Sequence, residues 1–162
     1  MLESTSPTQI DTDNHHGIAT RLLIAFIAGF LAVPLFHQSV LAVFAGAGVV
    51  SATPYSTDPA TVTGLPQVLS RALLGGVYGI VLMLLLQRLV RARAGAAYWI
   101  GALAVGAILP SLVSWFVLAP IKGRPLAAGG DLHQLGVALV TNAVWGLGTA
   151  AIYSLATRIW RG

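Results

Sequence analysis

The sequence predicts an all-α integral membrane protein, a bundle of four helices that cross the bilayer in up-down-up-down order. Of its 162 residues, 56% are hydrophobic and 9% are charged, whereas soluble domains are about 25% charged. The charged residues also lie in short clusters, and the uncharged runs between them have the lengths of membrane spans. A soluble domain of this size would need a charged surface, and this chain has too few charges to supply one.

Four apolar segments within a transmembrane domain of residues 21–162 are the predicted spans. They cover residues 22–44, 65–86, 95–120 and 135–156. Each is long enough to cross a hydrocarbon core of about 30 Å at about 1.5 Å per residue. Turn-forming residues follow span 1 (51–64) and span 3 (121–131). Residues 1–20 are polar and weakly acidic, which predicts a disordered cytoplasmic tail.

Basic residues are unevenly divided between the two ends of the predicted spans. One end has Arg21, Arg88, Arg91, Arg93, Arg158 and Arg161, and the other has Arg71, Lys122 and Arg124. Because cytoplasmic loops are enriched in Lys and Arg, this distribution predicts that both termini are cytoplasmic. Tyr98 and Trp160 fall at the same end, where amphipathic rings favour the membrane interface. The basic residues form no single stripe, so we expect no nucleic-acid partner.

Small residues spaced four apart recur in every predicted span. Such spacing lets helix backbones approach closely, and it predicts helix-packing roles for the glycines. The predicted packing residues are Gly29, Gly75, Gly79, Gly106 and Gly146. Packing within one bundle is the interpretation we favour, and contact between copies of the chain is the alternative.

Spans 2 and 4 also share short similar segments. Residues 76–79 read Gly-Val-Tyr-Gly and residues 143–146 read Ala-Val-Trp-Gly, and Leu65 and Gln67 precede the first segment as Leu132 and Gln134 precede the second. Spans 1 and 3 each contain a proline, Pro34 and Pro110, at a different offset. The fold can therefore be described as two duplicated helical hairpins. Chance similarity in a chain rich in Gly, Ala, Val and Leu is the simpler explanation.

A layer of polar residues lies at one depth in the four spans. Its members are His37, Gln38, Gln67, Arg71, Ser114 and Asn142. His37, Arg71 and the two equivalents in spans 3 and 4 are six or seven residues from the same end of their spans, roughly 9–11 Å below that membrane face. Polar groups at such depth face the bundle interior and pair with one another.

The layer has several interpretations. Hydrogen bonding between helices is the one we favour, a site for a solute, ion or lipid headgroup is the next, and redox or metal ligation is the third. Arg71 taken alone is also explained by snorkelling of its side chain to the outer surface. No Asp or Glu lies within a span, which argues against a carboxylate-based proton or sodium transporter.

The sequence predicts no metal site, no cofactor and no catalytic residues. There is no cysteine, and a bis-histidine haem would need a second histidine inside the membrane beside His37. Asp11, Asp13, His15 and His16 lie close together, but a flexible tail does not fix the geometry of a metal ion. Without a nucleophile–base pair, an enzyme is the least favoured class.

Four segments resemble those of known proteins: residues 34–38 (Pro-Leu-Phe-His-Gln), 65–68 (Leu-Pro-Gln-Val), 120–125 (Pro-Ile-Lys-Gly-Arg-Pro) and 142–148 (Asn-Ala-Val-Trp-Gly-Leu-Gly). With them, the chain resembles a group of small four-span bacterial inner-membrane proteins of unassigned function, over roughly residues 20–157. The resemblance implies a multi-pass protein of the bacterial inner membrane. It implies no activity and no functional residues.

Two functions follow from these observations. The favoured one is a non-catalytic structural or accessory subunit of a larger membrane complex, because neither the loops nor the spans contain a recognisable catalytic motif. The alternative is a small channel or transporter that uses the polar layer. Four helices rarely enclose a wide pore, so this alternative predicts a homo-oligomer within the lipid bilayer.

The predicted topology can be tested with reporter fusions. Fusions at both termini and within residues 88–94 should report a cytoplasmic location, because these segments contain most of the basic residues. Fusions within residues 51–64 and 121–131 should report the opposite side. An external location for residues 88–94, or an odd number of spans, would contradict the orientation.

Overall fold

The structure, a computed structural model, describes residues 7–90 and 95–159, with side chains described from residue 17 onward. Four of its helices are long and apolar enough to cross a membrane, and they form the four-helix bundle that the sequence predicts. Numbered in chain order as spans 1–4, they are Gly17–Gly46, Gln67–Leu89, Ala96–Ile121 and Leu132–Ile159. The predicted boundaries lie within five residues of these.

Two of the spans contain a turn of π-helix. The described residues form α1 (Pro7–Ala32), α2 (Gln38–Gly46), α3 (Gln67–Leu89), α4 (Ala96–Val113), α5 (Ala119–Ile121) and α6 (Leu132–Ile159). The π-helical turns Val33–His37 and Ser114–Leu118 join α1 to α2 in span 1 and α4 to α5 in span 3. Pro34 lies within the first turn and Pro110 just before the second. Because proline lacks an N–H and its ring clashes with the preceding turn, Pro34 disturbs the α-helical hydrogen bonding of span 1 at the first of these turns.

Helix α1 begins well before the membrane span. It starts at Pro7, so residues 7–20, which were expected in a disordered tail, are helical in this structure. Extending a helix that has already formed adds one hydrogen bond per ordered residue, so the span can propagate into the polar segment. Residues 1–6, and the side chains of Asp11, Asp13, His15 and His16, lie outside the described part.

The bundle has two different ends. Residues 47–66 and 122–131 form the long connections at one end, which we call the loop end. The start of α1, the connection after α3 and the end of α6 lie at the other end, which we call the terminal end. Asp131 caps span 4 at the loop end, where its Oδ1 accepts the N–H groups of His133 (2.9 Å) and Gln134 (3.2 Å). Hydrogen bonds from Gln134, followed by that from His133, lower the pKa of the Asp131 carboxyl.

Near their middles, the spans of each hairpin cross at glycines. A Cβ added to Gly29 would lie 2.8 Å from the Cα of Gly79 and would also collide with the carbonyl of Gly75. A Cβ added to Gly146 would lie 2.7 Å from the Cα of Gly106. The five glycines predicted to pack helices therefore lie at two crossings, span 1 on span 2 and span 3 on span 4.

The terminal half of the bundle is filled by side chains. Leu82, Met83 and Leu86 of span 2 are buried and belong to the same cluster as Tyr98 of span 3. The Tyr98 hydroxyl donates to the carbonyl of Ala150 at 3.2 Å. Tyr98 was expected at the membrane interface, but the ring turns inward because a buried carbonyl offers its hydroxyl a partner. Trp160 lies outside the described residues.

The glycine crossings can be tested with one substitution at two positions of span 4. Gly146→Ala should lower the free energy of unfolding by about 1–3 kcal/mol, because the new methyl group overlaps the backbone of span 3. Gly136→Ala is the matched control, since no described atom lies within 4 Å of its added Cβ. Unfolding by SDS titration from mild detergent micelles measures both. Equal effects of the two substitutions would show that the crossing is not tight.

Candidate functional site: a basic cavity between the four spans

A cavity of about 220 Å³ lies between the four spans in the loop half of the bundle. Lys122, just past the end of span 3, lines its outer part. Tyr78, Trp145 and Val33 line its inner part. Trp145 lies thirteen residues into span 4, roughly 20 Å from the start of the span. The cavity therefore extends from the loop end to near the middle of the membrane.

Four residues of the predicted polar layer line this one cavity. They are His37 of span 1, Arg71 of span 2, Ser114 of span 3 and Asn142 of span 4. The layer contributes from every span, although the four residues were chosen only by their distance from the span ends. The structure therefore brings these side chains together around a common space.

The two glutamines of the layer have different positions. Gln67 does not line the cavity but contacts a residue that does, since its Oε1 accepts a hydrogen bond from Nη2 of Arg71 at 3.2 Å. Gln38 is fully buried but does not line the cavity, because successive residues of a helix point about 100° apart and His37 occupies the inward direction. Its Oε1 instead accepts the N–H of Tyr55 at 3.1 Å.

Hydrogen bonds satisfy some of the cavity's polar atoms and leave others without partners. Asn142 Nδ2 donates to Ser111 Oγ at 2.9 Å, and Trp145 Nε1 donates to the carbonyl of Gly29 at 3.0 Å. Two buried atoms of lining residues, His37 Nδ1 and Arg71 Nη1, have no hydrogen-bond partner in the described part of the chain. Buried polar groups are nearly always paired. Gln38 Nε2, which does not line the cavity, is a third such atom in the described part of the chain, so the cavity accounts for two of the three unpaired atoms.

The cavity is electropositive. Arg71 and Lys122 line it, and none of its lining residues is acidic. Burial, and then the positive charges of Arg124 and Arg71, lower the pKa of the Lys122 ammonium. The three cations are thus close enough to repel one another, and no carboxylate in the cavity wall offsets their charge.

Most lining residues of the first hairpin correspond in position to lining residues of the second. Twelve of the fourteen form six pairs, with one constant numbering offset between spans 1 and 3 and another between spans 2 and 4. The pairs are Val33–Pro110, His37–Ser114, Arg71–Ala138, Leu74–Thr141, Gly75–Asn142 and Tyr78–Trp145. The same offsets relate the crossings, Gly29 to Gly106 and Gly79 to Gly146. The correspondence between the hairpins therefore extends from the similar segments of spans 2 and 4 to the glycine crossings and to most of the cavity wall.

The outer part of span 3 departs from this correspondence. Residues 114–121 make no close backbone approach to spans 1, 2 or 4, whereas the corresponding part of span 1, helix α2, approaches span 4. Leu118 lies in this segment and Lys122 directly follows it, and these are the two lining residues that have no counterpart among the six pairs. The cavity is open on the side of span 3, where Ser114 and Leu74 of span 2 are both exposed.

The connection after span 1 is attached to the wall of the cavity. The Tyr55 hydroxyl donates to the carbonyl of Pro34 at 2.9 Å and lies 3.1 Å from Ser39 Oγ. Pro34 belongs to the π-helical turn, whose altered hydrogen bonding leaves carbonyls available. The connection therefore holds the widened turn that presents His37 to the cavity.

Sequence reasoning missed Tyr78, Trp145 and Lys122 as lining residues. The two rings pack edge to face, with their centroids 6.4 Å apart. A signal for them was present, because Tyr78 and Trp145 occupy the same place in the similar segments of spans 2 and 4. Lys122 had been considered only as part of the charge distribution. No known protein family, curated protein or solved structure matches the chain, so the cavity is interpreted from its geometry.

The polar layer is expected to contribute little stability. Asn142→Leu removes the hydrogen bond to Ser111, and such bonds between membrane helices average about 0.6 kcal/mol. His37→Leu removes a buried nitrogen that has no partner among the described residues. Each substitution should change the free energy of unfolding by less than about 1 kcal/mol, measured by the same SDS titration. Losses above about 2 kcal/mol would indicate a structural role for the layer.

Proposed function

We propose that this protein belongs to the channel-or-transporter class of the bacterial inner membrane and binds a small polar solute or a lipid headgroup in the cavity. Both termini are cytoplasmic in this proposal, so the loop end faces the other side. The observation that carries it is the arrangement of His37, Arg71, Ser114 and Asn142, which come from four different spans and line one cavity.

The energetics of the layer support a binding role. A charged side chain in a membrane helix costs up to about 2.5–3.5 kcal/mol at the helix centre, and each interhelical hydrogen bond returns on average about 0.6 kcal/mol. If the layer served only to stabilise the bundle, we would expect its buried donors and acceptors to form hydrogen bonds with one another. Here Arg71 Nη1 and His37 Nδ1 have no partner within the described residues, and a ligand would supply one.

A continuous pore through a single chain is not supported. In the terminal half, Leu82 and Leu86 are almost completely buried, and Tyr98 packs in the same cluster. A solute that reaches Trp145 from the loop end therefore meets a packed core. Transport would require rearrangement of this core, or a path between copies of the chain in a homo-oligomer.

An accessory subunit is the second candidate, and the apolar outer faces of the spans favour it. Leu35, Ile100 and Leu155, for example, are more than half exposed. However, the glycines that could have packed against a partner are used within the chain. The remaining apolar faces are as well suited to lipid as to protein.

Cysteine accessibility tests the cavity directly, because the chain contains no cysteine. Ser114→Cys should react with a charged, membrane-impermeant methanethiosulfonate added from the non-cytoplasmic side, since Ser114 lines the cavity. Ser111→Cys is the matched control. Ser111 is fully buried one turn earlier in the same span and should stay unmodified.

The outcomes of this experiment separate the proposals. Reaction at position 114 only from the non-cytoplasmic side supports a water-accessible site and the proposed orientation. Reaction only from the cytoplasmic side would reverse the orientation and keep the site. If neither side gives reaction at position 114, the cavity is not accessible to water and the proposed function is wrong.

A further inference from the structure

We infer that the cavity binds an anionic phosphate group through Arg71 and Lys122, presented by a lipid headgroup or by a free phosphate ion. This inference rests on the proposed function, because it names the chemical class of ligand for the same cavity. Three observations carry it: the charges of the wall, the unpartnered atoms and the shape of the opening.

The charges of the wall favour an anion. Two cationic side chains and no acidic side chain line the cavity, and Arg124 lies close enough to interact with Lys122. A cationic solute would meet unopposed positive charge, and a neutral solute would leave that charge uncompensated. An anion offsets both charges, and in a site of low dielectric this interaction is stronger than in water.

The unpartnered atoms indicate which anion fits. Arg71 Nη2 is held by Gln67, while Nη1 is buried with no partner in the described chain, so the guanidinium is fixed on one side and free on the other. A guanidinium matches the oxygens of phosphate and carboxylate groups, and an ammonium adds a second point charge. The Ser114 hydroxyl can donate as well, and His37 Nδ1 can donate in the tautomer that has its proton on this nitrogen. A phosphate group has enough acceptor oxygens for all of these donors.

The shape of the opening admits a headgroup as well as a free ion. A volume of about 220 Å³ corresponds to roughly seven water molecules at about 30 Å³ each. Because residues 114–121 make no close backbone approach to the other spans, and Ser114 of this segment is exposed, the cavity is open towards the surrounding lipid. A lipid can place its phosphate between Arg71 and Lys122 while its acyl chains remain in the bilayer.

The charge of the empty cavity is tested by comparing two reagents on Ser114→Cys protein in maltoside detergent micelles, which contain no phosphate. The anionic sulfonatoethyl and the cationic trimethylammonioethyl methanethiosulfonates have the same reactive group. Their rate ratio is normalised to that of Ser51→Cys, an exposed position in the first connection. We expect the anionic reagent to be favoured at position 114 by about tenfold or more, as in clefts lined by charge of one sign.

Variants assign this preference to the two cations. Lys122→Gln and Arg71→Gln should each reduce the ratio several-fold, whereas Arg71→Lys should retain most of it because the charge is kept. Arg88→Gln is the matched control, since it removes the same charge from an exposed position at the terminal end. Lys122 lies outside the spans, so its variant remains informative if Arg71→Gln does not fold.

The ligand is tested by protection of Ser114→Cys from the neutral reagent hydroxyethyl methanethiosulfonate. Protection by inorganic phosphate in the same maltoside micelles, which contain no phosphate of their own, identifies a free ion as the ligand. Protection by added phosphatidic acid, without inorganic phosphate, identifies a lipid headgroup. In both cases protection should be absent at Ser51→Cys and weakened by Lys122→Gln.

The inference fails independently of the proposed function. If Ser114→Cys reacts but shows no preference for the anionic reagent, or if neither phosphate source protects it, the cavity is accessible but does not bind phosphate. If Ser114→Cys does not react with any reagent from either side, the accessible site itself is absent, and the proposed function is wrong together with the inference.

Discussion

Close contact between helix backbones at two glycine crossings determines the geometry of the rest of the bundle. Gly29 meets Gly75 and Gly79 in the first hairpin, and Gly106 meets Gly146 in the second. On the terminal side of these crossings the spans stay near enough for leucines and a tyrosine to fill the interior. On the loop side they diverge and enclose a cavity. Without a hydrophobic force between helices in lipid, such close packing is one of the few interactions that can hold this shape.

The sequence was sufficient for the number, type and approximate bounds of the spans, because in lipid every backbone polar group must be satisfied within a helix. Depth was predictable as well, since the constant rise of a helix, about 1.5 Å per residue, places His37 and Arg71 near one level. The direction in which each side chain points was less predictable. Gln38 follows His37 yet points away from the cavity, and Tyr98 turns into the core. Residues 114–121 separate from the other spans at a π-helical turn. No residue pattern predicts this turn, although Pro110 lies one helical turn before it.

The two hairpins are alike at most of their packing positions and differ at positions that line the cavity. Glycines occupy both members of the pairs Gly29–Gly106 and Gly79–Gly146, whereas Arg71 corresponds to Ala138 and His37 corresponds to Ser114. Ala138 also lines the cavity, so an arginine there would add a second like charge to the same space, and like charges in a site of low dielectric repel strongly. With alanine at this position, Arg71 is the one cation that the spans contribute to the cavity, and Lys122 is the other.

The positions of the chain ends and of the link between the hairpins bear on the order in which the two hairpins follow each other in the sequence. Helix α1 begins there, α6 ends there, and the two hairpins are joined there after α3. Each hairpin enters and leaves the membrane on the same side, so the bundle does not depend on which hairpin is made first. A circularly permuted chain that begins at span 3 and joins α6 to α1 by a linker would contain the same crossings and the same cavity. The fold is therefore also compatible with two halves that are encoded as separate chains and assemble in the membrane.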